Sequence, residues 1–242
     1  MSGARRLVVN ADDFGRSPAV NRGILRAHRE GVVTSASLMV RYPAAAAAAA
    51  LAREHPALGL GLHLDLGEWE YRDGAWRALY EVVATGDGAA VAAELAHQLA
   101  EFERLVGAPP THIDSHQHVH REEPVRSAVR RAGAALGVPV RHEPGVRYCG
   151  AFYGQGRHGT PLPELISAAA LAALVAGLEP GVTELTCHPS EPLDFASAYA
   201  TERPLELRAL CDPRVRRALT VHDVELADFR EIRATSRQTS SV

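Results

Sequence analysis

The sequence predicts an α/β fold built on a mostly parallel sheet, and three observations carry that reading. Short β-branched runs alternate with longer stretches of helical period, the pattern of repeated βαβ units closed into a barrel or doubly wound. Unusual polar residues cluster where predicted strands end, the edge on which parallel α/β folds build their sites. The 242 residues suit one such domain, and 46% hydrophobic with 23% charged residues is enough apolar material for a packed core.

Taken in order, residues 7–10 form a buried strand, and residues 18–31, opened by Pro18 and stopped by Gly31, have the apolar spacing of a helix. A strand at 32–40, a helix at 43–54 and a strand at 58–64 follow, the last with glycines that imply close backbone approach. The alanine run 44–50 belongs to its helix, because alanine has the best helix propensity and packs closely on a sheet. Residues 66–88, rich in Trp, Tyr, Glu and Arg, read as a loop. A helix at 89–106, a strand at 111–115, a helix at 124–136 and a strand at 138–142 continue the alternation. A glycine-rich loop over 143–161 leads to a helix ending at Gly177 and a strand at 182–187. Helices at 203–210 and 213–219 and a short strand at 224–226 complete a domain spanning 1–234, leaving 235–242 as a frayed polar tail.

Composition excludes several classes. The net charge of −3, with both signs interspersed, argues against a surface that neutralises nucleic-acid phosphates. No apolar run approaches the roughly 20 residues that span a bilayer, and the first residues lack a signal-type apolar segment, so a cytoplasmic location is expected. Cys149, Cys187 and Cys211 are odd in number and lack C-x-x-C spacing, as reduced structural thiols do. Twelve histidines against five phenylalanines point to chemistry, since histidine fills cores poorly but serves as ligand, acid and base.

The polar residues at the strand ends are Asp12 and Asp13, His63 and Asp65, Asp114 with His116, His118 and His120, and His188. Adjacent aspartates on an extended strand point to opposite faces, so both serve one site only if the strand has ended, as Gly15 suggests. In THIDSHQHVH, continued extension would put Asp114, His116, His118 and His120 on one side. That is too crowded for all to ligate one ion. One or two of these histidines are expected to bind metal, the rest to line the cleft or support the ligands.

At these residues the sequence resembles the YdjC-like carbohydrate deacetylase family. The matching stretches are VNADDFGRSPAVNRGILRAHREGVVTSASLMV at 9–40, GLHLDL at 61–66, PTHIDSHQHVH at 110–120, FYGQG at 152–156 and TELTCHP at 183–189, with Tyr199, Arg203 and Glu206 beyond. Ser190 stands where the family usually has glycine, and the segment between His63 and Pro110 is short beside chitooligosaccharide-type members. The resemblance implies a distorted (β/α) TIM-like barrel that removes the acetyl group from N-acetylated sugars with one divalent metal ion, zinc or magnesium. It implies Asp13, His63 and His116 as ligands, Asp12 as general base, and His188 as the acid that protonates the departing amine, with His118 or His120 as the alternative acid. His118, Arg141, Tyr153, Trp69 and Trp76 are the candidates for substrate binding. The aromatics of the 66–88 loop suit the apolar face of a pyranose or, equally, the anchoring of that loop. The implied partner is an N-acetylated sugar or glycoconjugate, and a homodimer is the assembly considered. Two rivals stand beside this reading: another single-metal barrel enzyme, such as a sugar isomerase or phosphoesterase, and an inactive sugar-binding barrel.

Overall fold

The structure, a computed structural model, describes residues 3–232; the tail expected at 235–242 lies outside the described residues. Its strands are β1 (Arg5–Phe14), β2 (Ser35–Leu38), β3 (Gly59–Leu64), β4 (Gly67–Arg72), β5 (Ala75–Glu81), β6 (Ile113–Ser115), β7 (Arg147–Cys149), β8 (Gly181–Cys187) and β9 (Val224–Leu226). The main sheet is parallel, in the order β6-β3-β2-β1-β8-β7. The first residues of β1 also pair with β9, below the point where β2 joins. Helices α1 (Pro18–Arg29), α2 (Ala45–Glu54), α3 (Gly88–Val106), α4 (Val125–Leu136), α5 (Ala168–Ala176), α6 (Arg203–Leu210) and α7 (Pro213–Val221) make the connections. Among the described residues no ladder joins β6 to β7, so the sheet is a curled, open barrel.

Helix boundaries follow local chemistry. The Ser17 hydroxyl caps α1 by accepting the Val20 N–H at 3.3 Å, and Pro18 sits where a helix needs no donor. Asp87 caps α3, which stops at Gly107, a left-handed residue with φ 80°. Along β1 the pleat sends Leu7, Val9 and Ala11 into the large apolar cluster under the helices. Val8, Asn10 and Asp12 take the concave side. There Val8 packs with Ala227, Phe229 and Ile232, so the segment after β9 plugs one end of the barrel with apolar side chains and leaves its other end polar.

Three expectations about elements are corrected. Residues 66–88 contain the antiparallel hairpin β4–β5, turned at Asp73 and Gly74 with φ 52° and 81°. That is the positive-φ pair of a two-residue hairpin turn, and the Asp-Gly dipeptide between alternating W-E-Y and A-W-R runs was its signal. The strand expected at 138–142 is a single bridge between Ile113 and Val140, because Pro139 has no N–H to donate and His142 turns left-handed at φ 66°. The loop expected at 143–161 contains β7.

Candidate active site

A cavity of about 640 Å³ opens at the C-terminal ends of β1, β3 and β8, and the β4–β5 hairpin forms one wall. Both aspartates reach it by a route other than an early strand end. The ladder runs on to Phe14, but its register against β2 shifts between Ala11 and Phe14, and Asp13 is left-handed at φ 69°. That bulge turns Asp13 to the same side as Asp12, at a backbone cost on the order of 1 kcal/mol.

Asp13 Oδ1 lies 3.4 Å from His63 Nε2 and 3.2 Å from His116 Nδ1. All three residues are buried, and this oxygen makes no hydrogen bond of good geometry. Its other oxygen accepts from the Arg203 guanidinium. His63 is oriented from behind: β3 and β6 place it beside Asp114, whose Oδ1 accepts from Nδ1 at 2.7 Å and leaves Nε2 facing Asp13. Burial disfavours charge on His63, but Asp114 and Asp12 outweigh it and push the imidazole up to about 10. Burial likewise opposes the ionisation of Asp13, and Arg203 with the two imidazoles holds the carboxyl well below its usual value. One orphaned carboxylate oxygen facing two imidazole nitrogens, each ring with another partner behind it, fits a divalent ion. The set suits zinc better than magnesium, which prefers more oxygen ligands.

Asp12 sits alongside in a fixed pose. Arg141 donates to both its oxygens, at 2.7 and 2.8 Å, and Asn10 donates to Oδ1 at 2.9 Å. Burial works against its ionisation; Arg141 prevails and keeps the carboxyl below its ordinary value. The same guanidinium pairs with Asp114 at 2.6 Å and Glu184 at 2.8 Å. Burial, reinforced by Asp114 and Asp12, pushes Glu184 up to about 7 despite Arg141. Arg141 was expected at the substrate; its side chain instead lies beneath the cavity with no exposed surface, occupied by these three carboxylates.

His188 follows β8 and lines the cavity, with Nε2 3.9 Å from Asp12 Oδ2. Its backbone N–H donates to Glu206, which also accepts from the Tyr199 hydroxyl at 2.5 Å. Burial pushes the His188 imidazole down to about 4, so it is neutral near pH 7. Tyr153 stacks flat on Tyr199, with ring centres 4.5 Å apart, and meets His188 edge-on.

The histidine run does not stay extended. β6 ends at Ser115, and residues His116–Arg121 form a 3₁₀ turn in which Gln117 and His118 are left-handed, at φ 50° and 55°. His116 therefore goes to Asp13, while His118 and His120 face away from it towards His142. Gln117 pins the turn to the hairpin, donating to the Trp69 carbonyl at 2.7 Å and accepting its N–H at 2.9 Å. Trp69, Trp76, His118 and Tyr153 line the cavity, and Trp76 is 61% exposed. Tyr80 is not among the cavity's lining residues and serves as an anchor, donating to buried Asp65 at 2.9 Å. Several residues here carried no role in the sequence reading: Glu68, which accepts from Arg16 at 2.5 Å, and also Arg203, Glu184 and Glu206. One signal could have found Glu184: polar residues two apart on buried strands, as in Asn10/Asp12, Ser35/Ser37, His112/Asp114 and Glu184/Thr186, mark the polar concave side.

A family profile described as YdjC-like protein matches residues 6–221. A carbohydrate deacetylase of Geobacillus stearothermophilus is 34% identical, over 94% of this chain and 98% of that protein. A chitooligosaccharide deacetylase of Serratia marcescens is 32% identical, over 93% and 98%. Among solved structures, a protein of Enterococcus faecalis V583 given a provisional role in cellobiose-phosphate cleavage aligns with a TM-score of 0.76 at 24% identity, covering 95% and 99% of the two chains. A family 4 carbohydrate esterase from Streptomyces lividans, in complex with acetate, aligns at 0.57 and 15% identity, covering 94% of each. At those identities the two structures attest the distorted barrel alone. Among the described residues no helix is long and apolar enough to cross a membrane.

Proposed function

The chain belongs to the YdjC-like protein family, and from that premise we propose that it is a carbohydrate deacetylase, a hydrolase that removes the acetyl group from an N-acetylated sugar. The observation that most supports this reading is the meeting, in one cavity, of the Asp13, His63 and His116 cluster with an ionised carboxylate, Asp12, and a neutral imidazole, His188. The substrate class follows the curated relatives, which are named for carbohydrate or chitooligosaccharide deacetylation.

An amide resists hydrolysis because its carbonyl is weakly electrophilic and its amine departs poorly. A divalent ion held by Asp13, His63 and His116 would polarise the carbonyl and acidify water. Asp12 takes the proton of the attacking water, held for that task by Arg141 and Asn10. His188 starts neutral, so the proton it gives the amine nitrogen must come from the reaction itself. Asp12 Oδ2, 3.9 Å from Nε2, is the source within reach. A C–O bond forms, the C–N bond breaks, one water proton ends on the amine, and the acetyl group leaves as acetic acid. Tyr153, Trp69 and Trp76 offer ring faces to the sugar. The test is acetate release from a panel of N-acetylated sugars, including short N-acetylglucosamine oligosaccharides, by zinc- and magnesium-loaded protein. Release from one or more supports the reading; metal-loaded protein that releases none overturns it.

A further inference from the structure

We propose that His118, His120 and His142 form a second cation site, an all-imidazole face that takes a borderline d-block ion such as zinc. One nitrogen from each ring lies within 4.8 Å of the other two. The ring centres are 6.0, 5.2 and 5.5 Å apart, for His118–His120, His118–His142 and His120–His142. Three imidazoles on one tetrahedral ion, with Zn–N near 2.0–2.1 Å, place their ring centres about 5–5.5 Å apart, so small ring movements complete the geometry.

The nitrogens are poised for it. His118 Nδ1 and His142 Nε2 are buried and have no hydrogen-bond partner among the described residues. His118 Nε2 lies 3.2 Å from the Tyr148 hydroxyl, which can donate onward to Thr186 at 3.1 Å and accept the imidazole N–H, leaving the Nδ1 lone pair free. His120 has the Ser115 hydroxyl at 2.6 Å from Nδ1 and the Arg141 carbonyl at 3.2 Å from Nε2. Whichever contact yields to an ion, the other orients the ring, as outer partners of metal-bound histidines do.

The backbone is bent to build the cluster. His118 and His142 are both left-handed, at φ 55° and 66°, a conformation that non-glycine residues hold only where their surroundings impose it. The bridge from Ile113 to Val140 docks the segment carrying His142 beside β6, which leads into the turn carrying the other two rings. No carboxylate is among the three ligands, so the ion keeps its full charge, and nitrogen donors favour zinc over magnesium or calcium. Two of the three rings, His118 and His142, line the cavity, so the cluster is open to solution from that side.

Zinc stoichiometry tests the site. Tag-free protein is stripped, titrated with zinc against a chromogenic chelator and assayed by elemental analysis; two equivalents are expected. His142→Asn, which keeps a residue tolerant of positive φ, and His120→Phe, which keeps ring volume, should each bind one. His63→Ala should also bind one, so that the two sites are lost independently. Saturation of the wild type at a single equivalent that His142→Asn leaves in place overturns the proposal, and where His142→Asn misfolds, a single equivalent that His120→Phe leaves in place does the same. A single equivalent lost in His142→Asn but kept in His63→Ala would uphold the second site and overturn the first. Cobalt gives an independent reading: two sequential visible-absorption transitions support two sites, and a single transition that His142→Asn keeps overturns the second.

Discussion

Two groups of imidazoles gather beside one cavity and differ in their neighbours. His63 has Asp114 at 2.7 Å and Asp13 at 3.4 Å, and despite its burial these carboxylates push it up to about 10. His118, His120 and His142 have no carboxylate at hydrogen-bond distance among the described residues, and burial pushes them down to about 2, 4 and 4. Ring chemistry is the same in both groups. What differs is whether an adjacent strand brings a carboxylate into contact: β6 puts Asp114 at hydrogen-bond distance from His63, and its more distant charge on His120 and His142 does not offset their burial. The charged group must surrender protons before it can hold a cation; the neutral one need not.

Four measurements bear on this contrast, and the protonation states themselves should give the clearest signal. Imidazole titration by NMR on metal-free protein should find His63 charged above pH 8 while the other three stay neutral down to about pH 5. A His63 that titrates below pH 7 breaks the contrast outright.

Next in size is turnover. Asp12→Asn should lose roughly 10²- to 10⁴-fold in kcat while keeping its metal, because it removes a proton acceptor and no ligand. If that variant lost metal and Asp13→Asn did not, the two roles would exchange. His188→Ala should show a defect of similar scale on an acetamide that shrinks sharply on an activated acetyl ester, whose leaving group needs no proton. An equal loss on both substrates would move the proton donor to the His118–His120 turn.

Asp114→Asn removes the counter-charge behind His63 while keeping a hydrogen-bond acceptor. Zinc affinity should fall by about 10–100-fold, the usual cost of losing a partner behind a ligating histidine. Undiminished affinity would mean that Asp114 serves only Arg141 and Ser37, which bind its other oxygen.

The smallest effect concerns His112, buried against Phe229 with ring centres 4.0 Å apart. Burial pushes it down to about 4, although Asp114 is 3.9 Å away. With its folded value depressed below the unfolded 6.5, His112 contributes stability that is full above pH 6.5 and lost as pH falls towards 4. Its share of the slope is at most about 1.4 kcal/mol per pH unit. Melting curves between pH 7 and pH 4 should decline less steeply in His112→Gln, and an unchanged slope would place His112 in the charged group.

Much of this was legible residue by residue. The strand–helix alternation, the caps at Ser17 and Asp87, and the gathering of aspartates and histidines at strand ends are local properties, carried by side-chain period and turn chemistry. The hairpin was legible too, in Asp73-Gly74, but its aromatics masked the alternation around that turn. The strand expected at 138–142 failed for a local reason as well, through Pro139 and a left-handed His142.

A mostly parallel α/β sheet and the edge on which its polar residues collect both follow from repeats over a few residues, and so were readable along the chain. Which imidazoles meet which carboxylates depends instead on how distant segments pack. Asp12 and Arg141 are 129 positions apart, yet their pairing holds Asp12 still and keeps Arg141 out of the cavity lining. His116 parts from His118 because Gln117, left-handed, is fastened to Trp69 of the hairpin, 48 positions away. Electrostatics falls off with distance in space and is deepened by burial, and neither distance nor burial is written in the spacing of residues along a chain.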